Sequence, residues 1–321
     1  MNICMVGHGM MGVWHSNALI NMDCCLHTVV GRRAKPVADF ANQYGYRQWT
    51  VDLEEALESD EIDIVILANP SEMHAETALL SLGAGKHTLV EIPIAMNLAD
   101  ATLVTAKAQK LDLKLGVVHP MRVRPEMVAL RDRVMDQEES VRQIVGRFYI
   151  HRLRNVGATG YKRSWTDNLL WHHTTHLLDL GLWIMNDPVK DVRSWMPAPD
   201  SETGIPMDLY LGVETRGDRS LVCAGSYYSH ENIFDVFIVS GRNSYRLDVF
   251  NNTLNIGSDM TVMAPEAENC ALITRDFVES VREGRDPVVT GNSVLPAMTV
   301  LQQVQEQWDK IHGACKIPGR P

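Results

Sequence analysis

The sequence predicts an α/β protein of two domains: a doubly wound parallel sheet, then an α+β domain on a largely antiparallel open sheet. Three observations predict it. A short apolar strand at the N-terminus runs directly into Gly7-His-Gly9-Met10-Met11-Gly12 and a helix-like segment. From residue 1 to about 120, short apolar strands alternate with amphipathic helices, the pattern of parallel strands covered on both faces. Beyond Arg122 the segments lengthen and alternate apolar with polar residues between polar turns, the pattern of antiparallel strands with one face covered. The expected domains are residues 1–120 and 121–321.

The elements follow in order. Near-continuous apolar runs mark strands at Ile62–Ala68, His87–Glu91 and Leu113–Val118, and helices are expected over Ser71–Leu82 and Asn97–Gln109. After the change of texture, a helix is expected over Pro125–Met135 and a strand around Ile144–Leu153. A loop containing Gly157 to Trp165 and a helix spanning Leu169–Met185 come next. Alternation then predicts strands at Leu209–Val213, Ser220–Tyr228, Phe234–Ser240 and Tyr245–Phe250. The sequence contains neither an internal repeat nor a low-complexity segment.

The glycine pattern between strand and helix is that of a dinucleotide-binding turn, and so of a Rossmann domain. Gly7 permits the tight turn, Gly9 leaves bare backbone for a pyrophosphate, and Gly12 permits close packing of the helix. Met10 and Met11 open that helix, whose unpaired N–H groups and positive dipole end favour phosphate. An NAD-selective site places an acid about 20 residues further on. Here the strand Leu26–Val30 ends in Gly31-Arg32-Arg33. A carboxylate repels a 2′-phosphate and a guanidinium binds it, so NADP is expected, with NAD weaker.

Composition narrows the classes. The 321 residues are 45% hydrophobic and 22% charged, ordinary for a soluble globular chain, and the formal charge of −10 argues against a nucleic-acid surface. The apolar runs are too short to span a bilayer, and no leader-like pattern opens the chain. Six cysteines without a Cys-x-x-Cys pair or a dense framework suit a reduced, cytoplasmic protein.

Four segments in order resemble the Gfo/Idh/MocA oxidoreductase family. They are the glycine turn; Ala68-Asn69-Pro70-Ser71-Glu72-Met73-His74, similar to the family's Thr-Pro-Asn-x-x-His along the cofactor; Val90-Glu91-Ile92-Pro93, similar to Glu-Lys-Pro; and His172-His173-Thr174-Thr175-His176-Leu177-Leu178-Asp179, similar to Asp-x-x-x-His-x-x-Asp. Two positions depart from the family pattern: Ile92 replaces the usual catalytic Lys, and His172 replaces the Asp that pairs with the catalytic His. Within the family, the resemblance implies NADP-dependent oxidation of the cyclic hemiacetal of 4-carboxy-2-hydroxymuconate-6-semialdehyde to 2-pyrone-4,6-dicarboxylate, a step of protocatechuate 4,5-cleavage in aromatic catabolism. Two alternatives stay open: a dehydrogenase of another cyclic sugar or aldehyde, and a non-catalytic NADP-binding sensor.

The chemistry needs a base for the hydroxyl proton. Histidine suits the task, with an unperturbed pKa of about 6.5. His176 occupies the family's His position and is the expected base, with His172 or His173 orienting or replacing it and Asp179 one turn on. Helical spacing puts His172 and His173 each beside His176. Cofactor contacts are expected from Asn69, Pro70, Glu91 and Pro93, with His74 either touching ribose or capping a helix. A dicarboxylate substrate calls for cations: Arg122 and Arg124 after His119, Arg152 and Arg154 on one strand face, and Lys162 with Tyr161 in the following loop. No metal centre is expected, since His172 and His176 lack the Glu of His-Glu-x-x-His. An open second sheet with one bare face points to a homodimer through it.

Overall fold

A computed structural model describes residues 1–157, 160, 162–166 and 168–314 of the chain. These form two compact units. The first gathers residues 1–120, 157, 160 and 267–295, and the second residues 121–156, 162–166, 168–266 and 296–314.

The first unit is a six-stranded parallel sheet. In chain order it runs β1 (Asn2–Val6), α1 (Met10–Leu19), β2 (Cys25–Val30), α2 (Ala34–Tyr44), β3 (Gln48–Thr50) and α3 (Leu53–Leu57). It continues through β4 (Ile64–Leu67), a 3-10 turn (Ser71–Met73), α4 (His74–Gly83), β5 (His87–Val90), α5 (Leu98–Lys110) and β6 (Leu115–Val117). The strand order β3-β2-β1-β4-β5-β6 reverses between β1 and β4, so a crevice opens at the strand ends beside β1. β4 is buried at all four residues, as its unbroken Ile-Val-Ile-Leu run requires. Local chemistry sets the helix ends. Asp52 accepts from the N–H groups of Glu54 and Glu55 at the start of α3, Asn97 accepts from that of Asp100 at the start of α5, and left-handed Gly45 closes α2.

The second unit contains a 3-10 turn (Pro120–Val123), α6 (Pro125–Met135), β7 (Val141–His151), a π-turn (Leu169–Thr174) and α7 (Thr175–Met185). After them come β8 (Val189–Trp195), β9 (Asp208–Thr215), β10 (Ser220–Ser226), β11 (Tyr228–Ser240), β12 (Ser244–Asp248), β13 (Thr253–Ile256) and β14 (Asp259–Val262). The strands form one sheet in the order β14-β13-β12-β11-β7-β10-β9-β8, antiparallel throughout except where β7 meets β10. The fold class read from sequence is the one observed.

α7 packs on the covered face of this sheet. A Cβ on Gly146 of β7 would lie 2.9 Å from Leu177, and one on Gly181 would lie 2.7 Å from Leu221, so bare backbone lets helix and sheet approach closely. The other face carries exposed Trp195, Tyr210 and Phe237.

Two helices complete the described residues, α8 (Glu266–Glu283) and α9 (Gly291–His312). Residues 267–295, read from sequence with the second domain, cluster with the first unit. The cause is packing. Phe277 of α8 fills the space left by Gly116 of β6, where a Cβ would come within 2.6 Å of its ring, and Val117 N–H donates to Val289 O at 3.1 Å. An amphipathic helix reveals its apolar face in sequence but not the sheet that receives it. None of the described helices is long and apolar enough to cross a membrane.

Candidate active site

The glycine turn has the shape a dinucleotide needs. Gly7 has φ +110°, and a Cβ there would lie 2.3 Å from Ala68 O; a Cβ on Gly12 would lie 2.4 Å from Gly7 O. Both positions therefore exclude a side chain. At Gly9, the N-cap of α1, a Cβ would meet nothing within 4 Å, so a cradle stands open before the helix N-terminus. Met10 is exposed and Met11 half-buried on the first turn. At the end of β4, Asn69 Nδ2 donates to Thr77 Oγ1 at 3.3 Å, while Asn69 Oδ1 is buried without a hydrogen-bond partner among the described residues. A buried acceptor of this kind fits a bound polar ligand. These features of Gly7, Gly9, Gly12 and Asn69 fit a bound dinucleotide, and Arg32 and Arg33 are exposed just after β2.

The neighbouring strand ends hold two of the expected residues through internal bonds. The His74 side chain does not cap α4. It is buried, with Nδ1 2.7 Å from Pro93 O and Nε2 3.0 Å from Asn69 O, so it ties the loop after β4 to the loop after β5. Burial pushes its pKa below the usual His range against the pull of both carbonyls. Glu91, expected at the cofactor, is bonded inside the unit: its Oε1 lies 2.8 Å from His15 Nε2, and His15 Nδ1 lies 2.8 Å from Thr274 Oγ1. Sequence reasoning missed His15, which lies 76 residues from Glu91 with no spacing signal to link them. Pro93 follows a cis peptide bond from Ile92, which is itself buried, and Pro70 sits half-buried before the 3-10 turn.

In the second unit, Asn168 Oδ1 accepts from Trp171 N–H at 3.0 Å and starts the π-turn. The wider turn brings His172 and His173 together with rings 4.5 Å apart and edge to face, and His176 lies 5.9 Å from His172. π-turns of this kind recur at functional sites. All three imidazoles are half-buried on a segment whose other residues are buried. Phe148 stacks on His173 at 3.8 Å, and Phe234 lies 6.1 Å from His176. His173 Nδ1 is 2.8 Å from Tyr227 Oη, which also accepts from Arg152 Nη1 at 3.3 Å. Tyr227, fully buried, was not singled out in the sequence; only its place beside β10 in the folded sheet brings it to the histidines.

The expected cations separate. Arg122 grips Asp179, with Nε donating to Oδ2 at 2.6 Å and Nη2 to Oδ1 at 2.5 Å. Each therefore answers the other's charge inside the unit. Arg124 is buried and donates to Glu266 Oε2 at 2.6 Å, a structural pairing as well. Arg152 and Arg154 do not share a strand face, because β7 ends at His151. Arg152 instead bonds Asn155 and lies over the Trp165 and Tyr227 rings, while Arg154 is exposed. Lys162 is exposed and bridges to Val156. His119 is buried after β6, and Tyr161 lies outside the described residues.

Comparison with known proteins places this geometry. Residues 1–119 match the GFO_IDH_MocA oxidoreductase family with its NAD-binding Rossmann fold, and residues 125–263 match the C-terminal domain of bacterial oxidoreductases. The chain is 31% identical over 316 residues to 4-carboxy-2-hydroxymuconate-6-semialdehyde dehydrogenase of Sphingobium sp. (strain NBRC 103272 / SYK-6), covering 97% of this chain and 99% of that one. It is 24% identical over 205 residues to inositol 2-dehydrogenase of Salmonella typhimurium, covering 61% and 58%. Among solved structures, levoglucosan dehydrogenase with NADH and levoglucosan shares the fold, with TM-score 0.84, 15% identity and 97% of each chain covered. The two matched domains and the full-length relative establish that this chain is an oxidoreductase of the Gfo/Idh/MocA family, with a Rossmann domain for a nicotinamide cofactor.

Proposed function

We propose that the chain oxidises a carboxylated cyclic hemiacetal to a lactone with NADP, the substrate being the hemiacetal of 4-carboxy-2-hydroxymuconate-6-semialdehyde and the product 2-pyrone-4,6-dicarboxylate. The observation that carries the reading is the full-length relative of that name, aligned over both domains. The three-histidine turn and the exposed arginine pair after β2 support it.

When bound, the dinucleotide supplies the hydride acceptor. His176 takes the hydroxyl proton of the hemiacetal as general base. Arg152 donates to Tyr227 Oη, and we assign the Tyr227 proton to His173 Nδ1, which makes His173 neutral with its N–H at Nε2. His173 is thereby held as a donor, suited to orienting the substrate rather than accepting its proton. Arg154 and Lys162, both exposed, are the cations left for substrate carboxylates. Ile92 replaces the family's Lys without loss, because the hemiacetal ring oxygen stabilises positive charge at the reacting carbon. Dimerisation through the face bearing Trp195, Tyr210 and Phe237 belongs to the same reading.

The test is cofactor reduction with the ring-cleavage product of protocatechuate against a panel of cyclic sugars, each with NADP and NAD. The reading expects fast reduction only with the carboxylated hemiacetal and NADP. Turnover of a sugar in preference would replace the substrate, and no turnover with tight NADP binding would favour a sensor.

A further inference from the structure

We propose that His8, between the first two glycines of the turn, is a specificity-determining residue that joins Arg32 and Arg33 in binding the 2′-phosphate of NADP. The inference rests on the NADP reading above and deepens it. Its geometric basis is Gly31, the residue that follows β2. A Cβ built there would lie 2.4 Å from His8 Cδ2 and 2.7 Å from His8 Nε2, so the imidazole lies on the bare backbone of Gly31. Phe40 of α2 packs 6.0 Å from the same ring. The imidazole thus stands at the end of β2, where NAD-selective sites of this fold extend an acid to the ribose. Arg32 and Arg33 follow Gly31 directly, both exposed.

The electrostatics give this arrangement a direction. Burial pushes His8 below the usual His range, its own backbone hydrogen bond pulls it up, and Arg33 and then Arg32 push it down again. Gly31 and Phe40, which also pack on the ring, carry no charge. His8 is therefore neutral at neutral pH beside two cations. A phosphate dianion bound by the arginines cancels their repulsion and favours the imidazolium, which then donates to the same phosphate. A ribose hydroxyl has no such effect. NADP binding takes up a proton at His8, and NAD binding does not.

The experiment is calorimetric titration of the full chain with NADP and with NAD, in buffers of differing ionisation enthalpy, above about pH 7, where the 2′-phosphate is already a dianion. Wild type, His8→Gln and Gly31→Ala are compared. Wild type is expected to take up protons with NADP and none with NAD. His8→Gln should weaken NADP by about tenfold, leave NAD within about twofold and abolish the uptake. Gly31→Ala displaces the ring without removing it and should act in the same direction. Equal losses for both nucleotides, or unchanged NADP affinity and proton uptake in His8→Gln, would overturn the proposal. Failure of the NADP reading looks different: wild type would bind NAD more tightly, and Arg32→Asp would leave NADP affinity unchanged.

Discussion

Arg122 and Asp179 form a two-pronged ion pair, buried on both sides, between the 3-10 turn before α6 and the middle of α7. Two parallel N–H···O bonds fix the guanidinium plane against the carboxylate, so the pair locks α7, with His176 on its first turn, to the start of the second unit. Trp183 lies beneath the same guanidinium, 5.8 Å away.

Removing one partner leaves a buried charge uncompensated. Arg122→Ala or Asp179→Ala should each lower stability by about 3–5 kcal/mol, read as a drop in the urea midpoint. Arg122→Met combined with Asp179→Leu should recover much of that loss, because neither charge then remains buried. Single variants as stable as wild type would show that the pair carries no structural load.

The three glycines of the turn should separate by what a Cβ meets. Gly7→Ala and Gly12→Ala collide with backbone oxygens at 2.3 and 2.4 Å, so both should lower the melting temperature and weaken the nucleotide. Gly9→Ala meets no protein atom and should melt like wild type while losing nucleotide affinity, because its methyl enters the cradle. Unfolding and nucleotide titration on the same samples check both halves, and a Gly9→Ala that binds normally would contradict the placement of the pyrophosphate.

Tyr227→Phe tests how His173 is held. The change removes the hydroxyl's bonds to both His173 and Arg152, the bond to His173 being worth about 1–1.5 kcal/mol, so kcat should fall by about tenfold while nucleotide affinity holds. An unchanged kcat would make Tyr227 a packing residue only.

Stability should depend on pH through His74. Its folded pKa is depressed from 6.5 by burial, so the unfolded chain binds the proton more readily. The neutral imidazole's contribution is complete above pH 6.5 and is lost as pH falls through the folded value. The melting temperature should drop in mildly acid buffer, and His74→Asn should flatten that slope while lowering stability above it.

The parts legible in sequence were those that a local rule dictates. Gly7 and Gly12 are steric necessities, and Pro125 at the first turn of α6 marks a helix start that sequence and structure place at the same residue. The unbroken apolar run of β4 could only be a strand covered on both faces. What escaped depends on distant partners. Helical spacing suggested that His172 and His176 share a face but gave no sign of the π-turn, since π and α turns use the same residue types. Nothing in the sequence linked Arg122 to Asp179 or Arg124 to Glu266, because the partners lie 57 and 142 residues apart. The Arg152–Arg154 pairing failed at a strand end, where period two stops applying.

The central claim is that His176 accepts the substrate proton, and single-turnover reduction of bound NADP by the carboxylated hemiacetal tests it most directly. With nucleotide affinity measured separately on the same protein, His176→Ala should bind NADP as wild type does and reduce it about 10²–10⁴ times more slowly. A variant that binds NADP normally and reduces it at nearly the wild-type rate would contradict the assignment.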